Sequence, residues 1–239
     1  MARLDGKVSL ILGGAGFVGE GIVHSFLAEG AFVIVPSRSP ERLQGLRKVL
    51  GPLANERLVT VPAVTGTLQG AEALRDQILS RMKRLDAVVA SLGGFREGKR
   101  LVDTPLDEFG KVLTDNLVSH FIAARTFIPA LKAGSTYTFI AGLAAEVPEA
   151  RTGPTAIAMA GQQVLQRVLA AEMADSGVRI NELLVKSVMS RARGEPGPET
   201  LTAEEVGLFA ARLASAEGAH WHGVQIRLLD RGSYEMAMR

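Results

Sequence analysis

Seven short runs rich in apolar and β-branched residues alternate along the chain with longer stretches whose apolar residues recur at helical spacing. This alternation constrains the fold more than any single motif. Strands separated by crossovers of a dozen or more residues lie parallel, and a parallel sheet needs helices over both faces. Strands are predicted at Val8–Leu12, Phe32–Val35, Leu58–Val61, Ala87–Ala90, Tyr137–Ile140, Arg179–Val185 and Val224–Leu229. Helices are predicted between them, at about Val18–Glu29, Pro40–Leu50, Ala71–Met82, Leu106–Leu131, Pro154–Ala174 and Ala203–Ala216. The expected fold is α/β: a Rossmann-type, doubly wound parallel sheet of about seven strands.

Boundary residues support these spans. Pro40 and Pro154 suit first helical turns, where a missing N–H costs nothing, and Gly30, Gly134 and Gly177 suit left-handed caps after helical segments. No linker, repeat or low-complexity tract divides the chain, so residues 1–239 are expected to form one domain. R-A-R-G-E-P-G-P at 191–198 is the only long irregular loop, within a lid expected at about 186–202.

The stretch L-I-L-G-G-A-G-F-V-G-E-G-I-V, residues 10–23, falls where the first strand turns into the first helix. Gly13, Gly16 and Gly19 recur every three residues. Glycine there admits positive φ and close approach of a ligand, while the helix N-terminus offers N–H groups to a pyrophosphate. Gly13, Gly16, Phe17, Val18 and Gly19 are therefore candidate cofactor-binding residues. The end of the second strand reads V-I-V-P-S-R-S-P. An acidic residue there would suit the ribose hydroxyls of NAD, whereas Ser37 and Arg38 offer a donor and a cationic fork to a 2′-phosphate. NADP(H) is favoured over NAD(H). The plainer alternatives are a tight turn without a ligand and a solvated surface arginine.

Composition removes other classes. With 47% hydrophobic residues the chain can build a large core, and a net charge of +2 without basic runs gives no footprint for nucleic acid. It has no cysteine, and His24, His120, His220 and His222 lack metal-site spacing, so neither thiolate chemistry nor a metal site is expected. The opening M-A-R-L-D-G-K-V-S-L-I-L-G-G carries charges at Arg3, Asp5 and Lys7 and an apolar run too short for a signal peptide or membrane span; a cytoplasmic protein without membrane partners is expected.

From about Lys7 to Gly232 the chain resembles the short-chain dehydrogenase/reductase family in its compact single-domain form. The resemblance rests on the glycine turn, on D-T-P-L-D-E-F-G-K-V-L-T-D-N-L at 103–117, on N-E-L-L-V-K at 181–186 after a V-R-I strand, on L-T-A-E-E-V-G at 201–207, and on H-G-V-Q-I-R-L-L-D-R-G near the end. L-G-G-A-G-F-V-G is spaced like the glycine motif of the family's longer, epimerase-type members. The resemblance implies hydride transfer between a nicotinamide nucleotide and a carbonyl or alcohol carbon. In the family a Tyr handles the proton, a Lys four residues later lowers its pKa and holds the ribose, a Ser on the preceding strand polarises the substrate oxygen, and an Asn completes the set.

Aligned on the strand S-T-Y-T-F-I-A-G and on V-L-A-A-E, the positions of Ser, Tyr and Lys fall on Gly142, Thr155 and Met159; only the Asn is retained, as Asn116. The loop usually reading N-N-A-G is Ala90, Ser91, Leu92 and Gly93, the acidic residue after strand three is replaced around Ala63, and Val185-Lys186 replaces Pro-Gly. An aliphatic hydroxyl is a far weaker acid than a phenol of pKa about 10, and a positioned general acid contributes about 10²–10⁴-fold. Ordinary carbonyl reduction through these residues is expected to be very slow. Lys186 and His120, one helical turn after Asn116, are leads for a substitute group, with a solvated loop lysine and a packing histidine as their plainer readings.

Three functions remain open at this level: an NADP(H)-dependent oxidoreductase with an atypical proton donor, a non-catalytic nucleotide-binding regulatory or assembly protein, and a non-redox isomerase or cyclase. The cleft is expected to take a small, partly apolar ligand or substrate over Leu92, Leu143 and Met159, with Phe95 and Arg96 at its entrance. Helices at Phe109–Leu131 and Ala156–Ala174, with small residues Ala160, Gly161, Ala170 and Ala171, resemble the pair that joins family homodimers and homotetramers.

Overall fold

A computed structural model describes residues 2–190 and 197–239. β1 (Val8–Leu12) leads into α1 (Phe17–Ala28), β2 (Phe32–Ser37) into α2 (Pro40–Leu50), and β3 (Leu58–Pro62) into α3 (Leu68–Met82). β4 (Ala87–Ala90) is followed by α4 (Leu106–Leu113), a π-turn at Thr114–Val118 and α5 (Ser119–Phe127). β5 (Thr136–Gly142), α6 (Gly153–Glu172) and β6 (Arg179–Val185) come next. A two-stranded ribbon of β7 (Val188–Met189) and β8 (Leu201–Thr202) precedes α7 (Ala203–Ala214), β9 (Gln225–Leu228) and α8 (Arg231–Met238).

The seven predicted strands form one sheet in the order β3-β2-β1-β4-β5-β6-β9, with every pairing parallel. The chain reverses its direction of winding between β1 and β4, which run side by side with Leu12 opposite Ala90. At such a switch point the loops leaving two adjacent strands diverge and open a crevice. All five residues of β1 are buried because both faces are covered. Leu10 and Leu12 face a core shared with Leu74 and Ile78 of α3 and Phe127 of α5; Ile11 faces one shared with Phe26 of α1, Leu46 of α2 and Phe209 of α7.

The helices start where side chains replace missing backbone partners. Ser39 Oγ accepts from Arg42 N at 3.2 Å ahead of Pro40, and Thr67 Oγ1 accepts from Gly70 N at 3.2 Å. Thr202 and Glu205 form a reciprocal capping box on α7. Each cap of this kind stabilises its helix by about 1 kcal/mol.

Four details differ from the sequence reading. The helix expected at 106–131 contains the π-turn, which no residue pattern marks. The C-terminal α8 was not expected: its capping pair Asp230 and Ser233 opens only eight residues, none buried, so no apolar period reveals it. Part of the expected lid, on either side of residues 191–196, is the β7–β8 ribbon; residues 191–196 lie outside those described. Finally, two of the small residues read as an intersubunit surface are used within the chain, since Ala170 is buried in the core and Gly161 abuts Leu117. The apolar side chains left exposed on this side are Val118, Phe121, Ile157, Val164 and Val168.

Candidate functional site

The first turn is built by backbone. Gly13 follows β1 with φ +74°, and a Cβ on it would overlap the carbonyl of Ser91 at the end of β4. Gly14 N donates to Ile11 O at 3.2 Å and Gly16 N to Gly13 O at 2.9 Å, which closes the turn. Gly16 then caps α1 in an extended conformation without a side-chain cap hydrogen bond, and Glu20 is the acidic residue of the first turn. Gly19 packs on the Gly13 carbonyl, where any side chain would collide, and Phe17 is half exposed beside Val18. The positive end of α1 thus lies at the switch point, where glycines let main chain and ligand approach closely. These residues fit a dinucleotide's pyrophosphate.

At the neighbouring strand end, Ser37 Oγ accepts from Ser39 N at 3.2 Å. Arg38 is exposed, and among the described residues its guanidinium has no ion pair or hydrogen bond. Ala63, in place of the family's acidic residue, donates its N–H to Ser37 O at 3.0 Å.

The loop leaving β4 is held by two side chains from the π-turned helix. Asn116 Oδ1 accepts from Gly94 N at 2.8 Å, and its Nδ2 donates to Val112 O at 3.0 Å. Gly93 has φ +81° and lies so close to the carboxamide that a Cβ would overlap it. One turn later, His120 Nε2 lies 3.3 Å from Leu92 O, which makes this nitrogen the protonated one. The ring stacks on Phe139 at 5.6 Å, its Nδ1 is buried without a partner, and desolvation lowers its pKa to about 4 despite the Leu92 bond. Asn116 and His120 share a face and fasten Leu92 and Gly94 of one loop. Both ends of the Asn116 carboxamide are engaged by main chain, so here it positions Ser91–Gly94. The spacing of Asn116 and His120 made a shared face legible, whereas the loop they grip was not.

The other side of the cleft is formed by β5 and α6. Gly142 ends β5, and a Cβ there would come within 2.9 Å of Met159 Sδ and 3.0 Å of its Cε. The thioether occupies the space a serine side chain would need. Thr155 is buried, and its Oγ1 donates to Arg96 O at 3.1 Å. This bond belongs to a seam between the loops that follow β4 and β5: Gly98 N donates to Arg151 O at 2.8 Å, and Arg151 Nε donates to Gly98 O at 2.9 Å. The hydroxyl at position 155 therefore closes a loop contact.

Neither of the chain's two tyrosines lies on α6. Tyr137 is wholly buried in the core, and desolvation pushes its pKa well above the usual phenolic value. Tyr234 lies on α8, half-buried, its pKa raised first by desolvation and then by Glu205. Lys186 is exposed at the end of β6, and its charge is felt at Asp230, whose pKa is lowered mainly by the Ser233 N–H and hydroxyl. Glu182, which the sequence reading did not single out, is fully buried on β6. It accepts from Gln225 Nε2 at 2.7 Å and Gln162 Nε2 at 3.4 Å, and desolvation raises its pKa to about 7. A Glu in the middle of R-I-N-E-L-L-V, a strand buried along its whole length, was the available signal.

Among the described residues no helix is long and apolar enough to cross a membrane. Comparison with known proteins places this site in context. A family model described as "Enoyl-(Acyl carrier protein) reductase" matches residues 14–203. A "Short chain aldehyde dehydrogenase 1" from Euphorbia lathyris is 30% identical over 224 residues, covering 87% of this chain and 75% of that protein. In fold, the chain is similar to a short-chain dehydrogenase/reductase from Serratia marcescens, with TM-score 0.85, 21% identity and coverage of 97% and 99% of the two chains. It is likewise similar to a short chain dehydrogenase from Burkholderia cenocepacia solved in complex with NADP, with TM-score 0.84, 24% identity and the same coverage. With the family model covering most of the chain and the seven-stranded switch-point sheet beneath it, this protein belongs to the short-chain dehydrogenase/reductase family.

Proposed function

We propose that the protein binds NADP(H) at the switch point and does not carry out the ordinary carbonyl reduction of its family, because its cleft has no proton donor of the usual kind. One observation carries the reading: Met159 fills the space over Gly142 while the Thr155 hydroxyl is bonded to the Arg96 carbonyl. Nucleotide binding is supported by the Gly13 cradle at the start of α1, and the 2′-phosphate by exposed Arg38, which has no ion pair or hydrogen bond among the described residues. The NADP bound to the Burkholderia cenocepacia neighbour supports the same cofactor class.

A bound nicotinamide supplies hydride. The chain's own residues hold the phosphates, position the loop after β4 and present an apolar floor of Leu92, Leu143 and Met159 to a small, partly apolar ligand. Any turnover draws its proton from solvent or from the substrate itself. The alternative is a binding or assembly protein with no redox step. Exposed Val118, Phe121, Ile157, Val164 and Val168 favour a homodimer or homotetramer in either case.

The test is a fluorescence titration with NADPH and NADH, followed by nicotinamide absorbance with ketone, aldehyde and enone panels. Saturable binding that favours NADPH, with ketones and aldehydes turned over no faster than about 10⁻² of an intact family member, is expected. Rapid ketone reduction would refute the missing donor; turnover of an enone alone would select the atypical oxidoreductase, and silence with all three panels the binding protein. Absence of any nucleotide binding would overturn the cofactor assignment.

A further inference from the structure

A cavity of about 420 Å³ lies at the end of the sheet opposite the glycine turn. It sits beneath three neighbouring strands. Lys7 immediately precedes β1, Arg84 and Asp86 precede β4, and Lys132 and Ser135 precede β5; Lys83 enters from the left-handed cap of α3. Four cations thus face one carboxylate. That carboxylate is already engaged: Asp86 takes Arg84 at 2.6 and 2.8 Å and accepts from Val8 N at 2.9 Å. Among the described residues, the ammonium groups of Lys7, Lys83 and Lys132 have no hydrogen bond or ion pair.

Like charges gathered round a concavity repel one another, and the repulsion is relieved when an anion enters. A monoanion offers too little charge for three strongly hydrated ammoniums, whereas a phosphate or diphosphate presents several acceptor oxygens and more than one charge in a compact group. The volume exceeds what inorganic phosphate needs and falls in the range of small-molecule sites. We propose that this cavity is a second anion site, one that takes a small molecule bearing a phosphate or diphosphate group through Lys7, Lys83 and Lys132.

The site is separate from the nucleotide cleft. Lys7 and Gly13 stand at opposite ends of β1, roughly 20 Å apart at the rise of an extended strand, so a nucleotide held at the glycine turn does not reach these lysines with its pyrophosphate.

The test is calorimetric titration of the full chain with pyrophosphate in a phosphate-free buffer at low ionic strength, with citrate as the carboxylate comparison. Pyrophosphate should bind saturably, more tightly than citrate and more weakly as salt rises. Lys83→Gln/Lys132→Gln changes two exposed side chains; it should weaken binding about tenfold or more while leaving the ligand-free melting temperature no lower than the parent's, since two of the repelling charges are gone. Gly13→Ala, which disrupts the glycine turn, should bind pyrophosphate as the parent does. Unaltered affinity in the double-lysine variant, loss of affinity in a folded Gly13→Ala variant, no saturable binding, or citrate bound as tightly as pyrophosphate would each overturn the proposal.

Discussion

The cleft has two halves on one edge of the sheet, and they are specified differently. Over β1, β2 and β4 the requirements are met mostly by main chain: the positive φ of Gly13, the extended cap at Gly16 and the loop clamped by Asn116 and His120. Over β5 and α6 the proposed reading puts the family's chemistry on three side-chain positions, here Gly142, Thr155 and Met159. Replacing a backbone-specified glycine disturbs the fold around it. Three side chains at a cleft floor can change together while the sheet beneath stays the same, provided their volumes balance, as Met159 does against the missing side chain at Gly142. Architecture and chemistry are thus separable in this molecule.

The largest effect should come from rebuilding the second half. Gly142→Ser alone should give no activity, because its side chain meets Met159 and finds no acidic partner. The triple variant Gly142→Ser/Thr155→Tyr/Met159→Lys exchanges the thioether for an ammonium and the committed hydroxyl for a phenol. Carbonyl reduction with NADPH should rise by about 10²–10⁴-fold. The new phenol must displace the Arg96 carbonyl, so the seam around Gly98 and Arg151 should loosen, read as faster amide exchange at Gly98. No gain in a variant that still folds and binds NADPH would mean that the first half does not aim the nicotinamide at this floor.

Breaking the first half should cost somewhat less. Gly13→Ala forces a side chain into the Ser91 carbonyl at a φ that L-residues avoid. Dinucleotide affinity should fall on the order of a hundredfold, about 3 kcal/mol, measured by the same fluorescence titration alongside a melt. Undiminished affinity would show that nucleotide does not sit on this turn.

The two halves also differed in how far they could be read from sequence. The seven strands were legible because a covered parallel sheet leaves a near-continuous apolar signature such as V-S-L-I-L, and the glycine turn because its spacing has a mechanical cause. What sequence missed depends on contacts between distant segments. The bonds of the Asn116 carboxamide to Gly94 and Val112 have no mark in the residue spacing. Gly142 and Met159 look like two separate losses until the thioether is found filling the gap. The Thr155 to Arg96 bond spans 59 positions, and the π-turn and α8 carry no periodic signal.

pH should load the halves in opposite directions. His120, under the first, has a folded pKa of about 4 against an ordinary 6.5; its contribution is present above pH 6.5 and is lost as pH falls toward 4. Glu182, on β6, has a folded pKa of about 7 against 4.5; its contribution is present below pH 4.5 and is lost as pH rises through 7. Each shift is worth at most about 3 kcal/mol. Acidification from pH 6.5 to 4.5 should lower the protection factor of the Gly94 amide, its exchange compared with the intrinsic rate at the same pH. Glu182→Gln keeps an acceptor for Gln225 Nε2 while giving up the longer bond from Gln162, and should melt several degrees above the parent at pH 8, at about 2–4 °C per kcal/mol. An unchanged alkaline melt in that variant would show that the carboxyl does not titrate there.

The smallest expected effect decides how much of the first half is more than backbone. The glycine turn is indifferent to the 2′-phosphate, so a preference between NADPH and NADH must come from side chains, and Arg38 is the exposed cation at the end of β2. Arg38→Ala should weaken NADPH about tenfold, on the scale of one exposed charge-assisted contact, and leave NADH within about twofold. Arg38→Lys should recover only part of the loss, because an ammonium cannot reproduce the planar fork. Equal losses for both nucleotides would move the arginine's role to a group they share. No loss for either would leave recognition in the first half wholly to the main chain, sharpening its contrast with a second half that depends on side chains.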